Sequence, residues 1–511
     1  MTLQAGATPA HAADGSAQQH LREAQSLYQT GQYFRAARYA FAAQQEDSAL
    51  EPEGYSLITL ALTRAHLYNS ASYFFIKTLK TKNHSAIRKV LTQTQELLVR
   101  VGVDVLRNDL IRETTYDDYD ALNRSAFLYS LGKAALLEGK EDKAIGYLNA
   151  VQNNSPLWPY AMQIRASAYA IQGKNSEAIR DFKLCAENTA TFVQADEDSA
   201  LRRTQENEAR DLKARCQAGQ ARTLYQASNF EEADQVYDHI PKGSFVYPDI
   251  LFEQAWNSFG RREYNRSLGK LVSYKSPALN FVFNTEVDVL SAQSYLNMCL
   301  YSDANDVIND FNQKYQKVGE EVKSFVEQNS NNLPAFFALG KEALATPLHT
   351  KNDLYRMMNR FIRGPYFPGL VVAERSVSRE LLAIRQFAQS SKQDASGKGF
   401  PLFLEQVMGW RYKTIRHLGG AFVKNSLMDY HSILIADFEK MAFIKLEMLG
   451  RAKDKILSSQ RKIPNSSSDM RGRGAVEPTR RNDQFYWSFN GEFWNDELGD
   501  YVFGLASECS S

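Results

Sequence analysis

The chain has 511 residues, of which 44% are hydrophobic, and a net charge of +1 from 60 Lys and Arg against 59 Asp and Glu. That apolar content suffices for a large packed core and excludes wholesale disorder. The balanced charge lacks the basic surplus of a dedicated nucleic-acid binder.

Residues 1–16 read as a leader. Ala10-His11-Ala12 has the small-x-small pattern that precedes a signal-peptidase cut, without the charged and strongly apolar parts of a signal peptide in front of it. A signal shortened by a late start and a flexible Ala-rich leader both fit. The first places the protein in the periplasm, the second in the cytoplasm. No run approaches 18 apolar residues, so no transmembrane helix is expected.

From about residue 17 the chain repeats itself. Leu131-Gly132, Gly139, Ala144, Leu148, Val151 and Pro156 have the spacing of helix, tight turn, helix and stop, and 34 residues later Ala166, Tyr169, Gly173, Ala178, Phe182 and Cys185 repeat it. Ala221, Leu224, Phe230, Ala233, Tyr237 and Ile240 form a third copy, and Ala255, Tyr264, Ser267 and Leu271 a fourth, with Ala233 and Ser267 again 34 apart. Looser copies flank these at Ala24–Ala40, Leu62–Phe75 and Ala292–Ala304. Small residues at Ala144, Ala178 and Ala233 let paired helices approach, larger ones at Leu131, Tyr169 and Leu224 fill the facing gap, and Gly139 and Gly173 suit a left-handed helix end. The period stretches twice. A degenerate helix pair is expected over 80–124, and a lengthened, solvated helix around the charged run Arg202–Arg215.

This skeleton resembles the tetratricopeptide repeat (TPR). The resemblance implies an all-α fold, a TPR-type α-solenoid of about seven repeats over 17–315. Beyond it we expect a helical domain over 316–460 with a polar linker at 389–399. Its long amphipathic helix spans 427–460, with Ile435, Phe438, Ala442, Leu446 and Leu449 on its apolar stripe. A basic flexible linker (461–481) and an acidic aromatic tail (482–511) follow. Within the tail, Phe485-Tyr486-Trp487-Ser488-Phe489 before Asn490-Gly491 predicts a small β-hairpin.

Chemistry-bearing motifs are scarce. The eight histidines show no HExxH, and neither a phosphate loop nor a GxSxG elbow is present. No catalytic, cofactor-binding or metal residues are assigned, and no cofactor is expected. Glu492, Asp496, Glu497 and Asp500 could share a calcium ion, but a solvated acidic turn is the simpler reading. Cys185 and Cys216 could join in an oxidising compartment, although buried free thiols are the commoner use of such residues.

In TPR arrays the first helix of each repeat lines a groove that receives a peptide or helix of a protein partner. By register, the resemblance implies Tyr129 and Lys133, then Gln163, then Arg222 and Tyr225, then Phe252, Trp256 and Phe259 as partner-binding residues. Aromatics beside an arginine are typical interface anchors. The Lys/Asn/Arg set with which some co-chaperones clamp a C-terminal carboxylate does not match.

More narrowly, Ala255-Trp256, Tyr295…Tyr301, the long helix and the closing FYWSFNGEFWNDELGDY resemble large periplasmic repeat proteins of gliding or predatory Deltaproteobacteria. That resemblance implies a non-catalytic scaffold in an envelope or motility complex. Two alternatives stand beside it. In one, the repeats recruit a C-terminal ligand-binding or enzymatic domain within 320–511. In the other, the basic stretch 451–481 serves a cytoplasmic RNA-associated array, although nucleic acid is not the expected partner.

Overall fold

A computed structural model describes residues 11–189, 199–244, 246–364, 366–390, 397–458, 484 and 486–509. Within them are 21 α-helices and two strands of two residues each. The chain divides into two compact units: unit 1 takes 1–195 and 370–415, unit 2 takes 196–369 and 416–511.

Unit 1 begins with the helix pairs α1 (His11–Gln29) with α2 (Tyr33–Glu46) and α3 (Glu51–Arg64) with α4 (Tyr68–Lys80). Residues 11–16, read as part of a leader, form the first turns of α1. Where one degenerate pair was expected, three short helices stand: α5 (His84–Leu91), α6 (Thr94–Val101) and α7 (Val103–Glu113). Pairing resumes with α8 (Arg124–Leu137) and α9 (Glu141–Asn149), then α10 (Trp158–Ile171) and α11 (Asn175–Asn188).

Unit 2 continues with α12 (Ser199–Gln226) and α13 (Phe230–Asp238), α14 (Tyr247–Gly260) and α15 (Tyr264–Val272), and α16 (Glu286–Asn297) and α17 (Tyr301–Gln328). The expected lengthened helix is α12, with 28 residues against 14 in α10 and α14. After α18 (Leu333–Ala345) and α19 (Asp353–Ile362), α20 (Tyr366–Ser390) and α21 (Phe400–Ser458) complete the helices.

The repeat skeleton has a physical signature in each pair. Ala144, Ala178, Ala233 and Ser267 are all fully buried, as close helix approach requires. Between the two helices of seven successive pairs one residue has positive φ: Gly31, His66, Gly139, Gly173, Ser228, Arg262 and Cys299. Three are glycine, for which that conformation costs little, and four bear side chains held there by the pairs they join.

The C-terminal helices do not pack as a separate layer within either unit. In unit 1, Phe387 of α20 stacks on Phe34 of α2 at 4.7 Å, and Phe400 of α21 meets Phe41 at 5.0 Å and Phe74 at 6.0 Å. The N-terminus of α4 has no side-chain cap of its own, because Leu67 occupies the capping position. The buried carboxylate of Glu380 on α20 supplies one, accepting from Ser70 N at 2.6 Å and from Asn69 N and Nδ2 at 3.0 Å each. In unit 2, fully buried Asp437 on α21 accepts from Thr285, the residue preceding α16, at 2.6 Å and pairs with Lys440 at 2.8 Å.

Helix α21 starts 27 residues before the expected Leu427, and its inward face differs from the expected stripe. Ile435, Leu446 and Leu449 are 48%, 65% and 55% exposed, while Leu434, Asp437, Met441, Ile444 and Met448 are buried. Both sets recur at three- and four-residue steps, so periodicity does not choose between them.

The tail is a structural part of unit 2. Leu498, Tyr501, Phe503 and Leu505 belong to one core cluster with Leu251, Leu268, Leu271 and Leu290. Asn265 on α15 bonds the tail backbone three times, through Phe503 N at 3.1 Å, Leu505 N at 3.0 Å and Leu505 O at 2.9 Å. Gly269, one turn on, leaves room for the Tyr501 carbonyl, which an added Cβ would strike. The last anchor is covalent: Cys509 is bonded to Cys299, 210 residues away, with Cα atoms 5.0 Å apart. Cys185 and Cys216 are also disulfide-bonded, which corrects the reading of buried free thiols.

The small β element is there, but it is not a hairpin. β1 (Trp487–Ser488) pairs with β2 (Tyr501–Val502) in parallel, Trp487 opposite Tyr501. Gly491 does turn the chain, with φ +100°. The chain returns only after a loop long enough for a parallel connection, and its aromatic residues pack both on one another, Phe489 on Phe493 at 5.2 Å and on Tyr501 at 5.4 Å, and on the core that α14 and α15 share. Asp500 pairs with Lys242 at 2.9 Å, so a cation of the repeats answers this tail acid. The basic linker, 461–481, lies outside the described residues. Among the described residues no group of three or more His, Cys, Asp or Glu could hold a metal ion, and no helix is long and apolar enough to cross a membrane.

Candidate partner-binding surface

Five of the eight residues assigned by register lie on α12 and α14 in unit 2. On α14, steps of four and three residues set Phe252, Trp256 and Phe259 along one face. Their rings meet edge to face, Phe252 to Trp256 at 6.5 Å and Trp256 to Phe259 at 5.4 Å, and Tyr264 continues the series at 5.3 Å from Phe259. All three are half-buried and pack against the tail-containing core. The ledge therefore has two sides, one structural and one facing solvent.

Arg222 of α12 spans to α14, where its guanidinium takes a forked grip on Glu253: Nη2 to Oε1 at 2.7 Å, and Nε to both carboxylate oxygens at 3.0 Å. Tyr237 donates to the other oxygen of the same carboxylate at 3.1 Å. Burial, and then the neighbouring Glu253 charge, pushes the Tyr237 phenol far above its ordinary value, so it stays a hydrogen-bond donor at physiological pH. Arg222, Tyr225, Tyr237, Glu253 and Trp256 together line an open depression of about 470 Å³. The forked pair holds the guanidinium plane still while leaving the arginine exposed at the rim.

The three residues assigned in unit 1 form no comparable feature. Tyr129 is 8% exposed and belongs to the core between helices, which corrects its assignment as a contact residue. Lys133 is engaged with Asp104 on α7 at 3.2 Å, and Gln163 is half-buried on α10. A register placed one residue off is enough to turn a groove position into a core position on a helix.

Sequence reasoning missed Glu253 and Tyr237 as parts of this surface. Tyr237 stood among the repeat's packing residues, and Glu253 sits between two assigned positions without a motif of its own. A signal was available: Arg222 and Glu253 are 31 residues apart, close to one repeat, which puts opposite charges on neighbouring first helices.

No family model matches the chain, and no curated protein matches it. Among solved structures, the crystal structure of the P58(IPK) TPR domain is similar at 13% identity, over 78% of this chain and 99% of that one, with a TM-score of 0.18. A superposition that weak carries no argument, so the fold rests on the paired helices, buried small residues and left-handed turns of the chain itself. By those features it is an all-α protein built of TPR-like helix pairs.

Proposed function

We propose that this chain is a non-catalytic scaffold that captures protein partners on the depression formed by Arg222, Tyr225 and Trp256, and that it does so in the periplasm as part of a bacterial envelope complex. The observation that carries the binding reading is a guanidinium immobilised by the Glu253 carboxylate and set beside three aromatic side chains, Tyr225, Tyr237 and Trp256, in an open recess. Such rigid aromatic and arginine groups lose little entropy on binding and dominate the energetics of interfaces. Phe252 and Phe259 support Trp256 from either side. Four oxidised cysteines support an oxidising compartment, since cytosolic thiols are kept reduced.

The test replaces Arg222 and Trp256 together by alanine. Losing two anchors of about 2 kcal/mol each is expected to cut the recovery of co-purifying proteins more than tenfold, with the helical circular-dichroism signal unchanged. Recovery at the wild-type level would show that the depression is structural only.

A further inference from the structure

We infer that unit 2 holds a second site, separate from the depression, that takes a small apolar group bearing a carboxylate. The site is a cavity of about 220 Å³. Pro248 at the start of α14, Phe281 and Val282 ahead of α16, and Leu348 between α18 and α19 give it apolar walls. Ser244, Asn359 and Arg363 complete the lining together with Asp249 and Arg360, which are paired with each other.

Among the described residues, Asn359, Ser244 and Arg363 are the polar lining residues without an acidic partner. Asn359 is 6% exposed, and its Oδ1 accepts from Arg363 Nε at 2.8 Å. That bond fixes which way the amide points and leaves Nδ2, a donor, buried without an acceptor. Ser244 Oγ is also buried without a partner. Arg363 donates from Nη2 to the Thr346 carbonyl at 2.8 Å, but no carboxylate faces it among the described residues, and burial lowers its pKa with no acid to offset the effect. Arg360, in the last turn of α19, differs, because Asp249 stands 3.4 Å from its Nη2. A buried donor left unmade costs about 1–3 kcal/mol, so native structures seldom keep one without use.

An anion with two oxygens meets the whole arrangement. One oxygen accepts from Asn359 Nδ2 and the other from the unbonded edge of Arg363, with the Ser244 hydroxyl as a third donor. The apolar walls ask for hydrocarbon behind that headgroup. A dry apolar cavity of about 150 Å³ accommodates benzene, so this one suits an acid of roughly six to eight carbons. A free carboxylic acid and the end of a peptide with an apolar last residue present the same chemistry. The inference does not rest on the partner-binding reading, since none of these residues lines the Trp256 depression.

Titration calorimetry on the full chain tests it with hexanoate, hexanol, acetate and an acetylated tetrapeptide ending in leucine, the peptide with a free or amidated end. Binding of hexanoate or of the free-ended peptide is expected, with hexanol, acetate and the amidated peptide at least tenfold weaker. Hexanoate alone would point to free acids, and the peptide alone to chain ends; either supports the site. Asn359→Leu and Arg363→Met should each weaken binding at least tenfold without altering partner capture. Ser244→Ala, which removes only a hydroxyl, should weaken it about threefold and serves if the larger changes fail to fold. No binding of either acid, hexanol binding as tightly as hexanoate, or wild-type affinity in Ser244→Ala together with whichever larger variants fold would overturn the inference.

Discussion

Gly269→Val is expected to strip the C-terminal tail from α15 and to lower the stability of unit 2 by about 3 kcal/mol. Any Cβ at 269 strikes the Tyr501 carbonyl and approaches the Val502 Cα, and these are backbone atoms that no rotamer change can move aside. The tail must then lift, which uncovers Tyr501, Phe503 and Leu505 and strands the three bonds to Asn265. The Cys299–Cys509 bond would keep the last residues tethered, so the loosened part is the stretch before it. Urea unfolding should show the loss, and limited proteolysis should newly cut between 486 and 505. Gly146→Val is the control, because a Cβ there meets nothing within 4 Å, and in the exposed interior of α9 valine is no worse a helix former than glycine, so no loss is expected. Equal behaviour of the two variants would mean that the tail is not part of the core.

The second large effect is expected at Glu380. Its carboxylate is the only side-chain cap on α4 among the described contacts, and Glu380→Ala leaves the N–H groups of Asn69 and Ser70 buried without acceptors, at about 2 kcal/mol. The loss depends on pH in a defined sense. Burial pushes the Glu380 carboxyl up, and the bonds from Ser70 and Asn69 pull it only part of the way back. A carboxyl raised in the folded state contributes most below its ordinary value of 4.5, and the contribution fades as pH rises through the raised value. The stability gap between wild type and Glu380→Ala should therefore be wider at pH 4.5 than at pH 8. A gap that widens with pH would show that the bonds to α4 outweigh burial.

What the sequence made legible follows from how locally each feature is specified. The helix pairs were readable because each repeat encodes its own small residues and turn, and Ala144, Ala178 and Ala233 are buried as their spacing requires. Features made by residues 152 to 311 positions apart left no such mark. Glu380 on Asn69, Asp437 on Thr285 and Cys509 on Cys299 each join distant segments, and no periodicity links them. The aromatic tail shows the same limit from the other side. Asn490-Gly491 only bends the chain, and the strands pair in parallel on a tail whose backbone is bonded to α15 through Asn265. On α14, the register that the resemblance implies names Phe252, Trp256 and Phe259, and their steps of four and three residues do set them along one helix face. Tyr129 was misplaced because a helical register fixes a face only to within a residue or so.

The most direct test of the scaffold reading places a photo-crosslinking amino acid at 222, at 256 or at the exposed control position Lys317 in the full chain, irradiates intact cells, and compares the covalent products. The account predicts discrete protein adducts from 222 and 256, the same species from both, and none from 317. Adducts equally abundant at 317, or no protein adducts at 222 and 256, would contradict it.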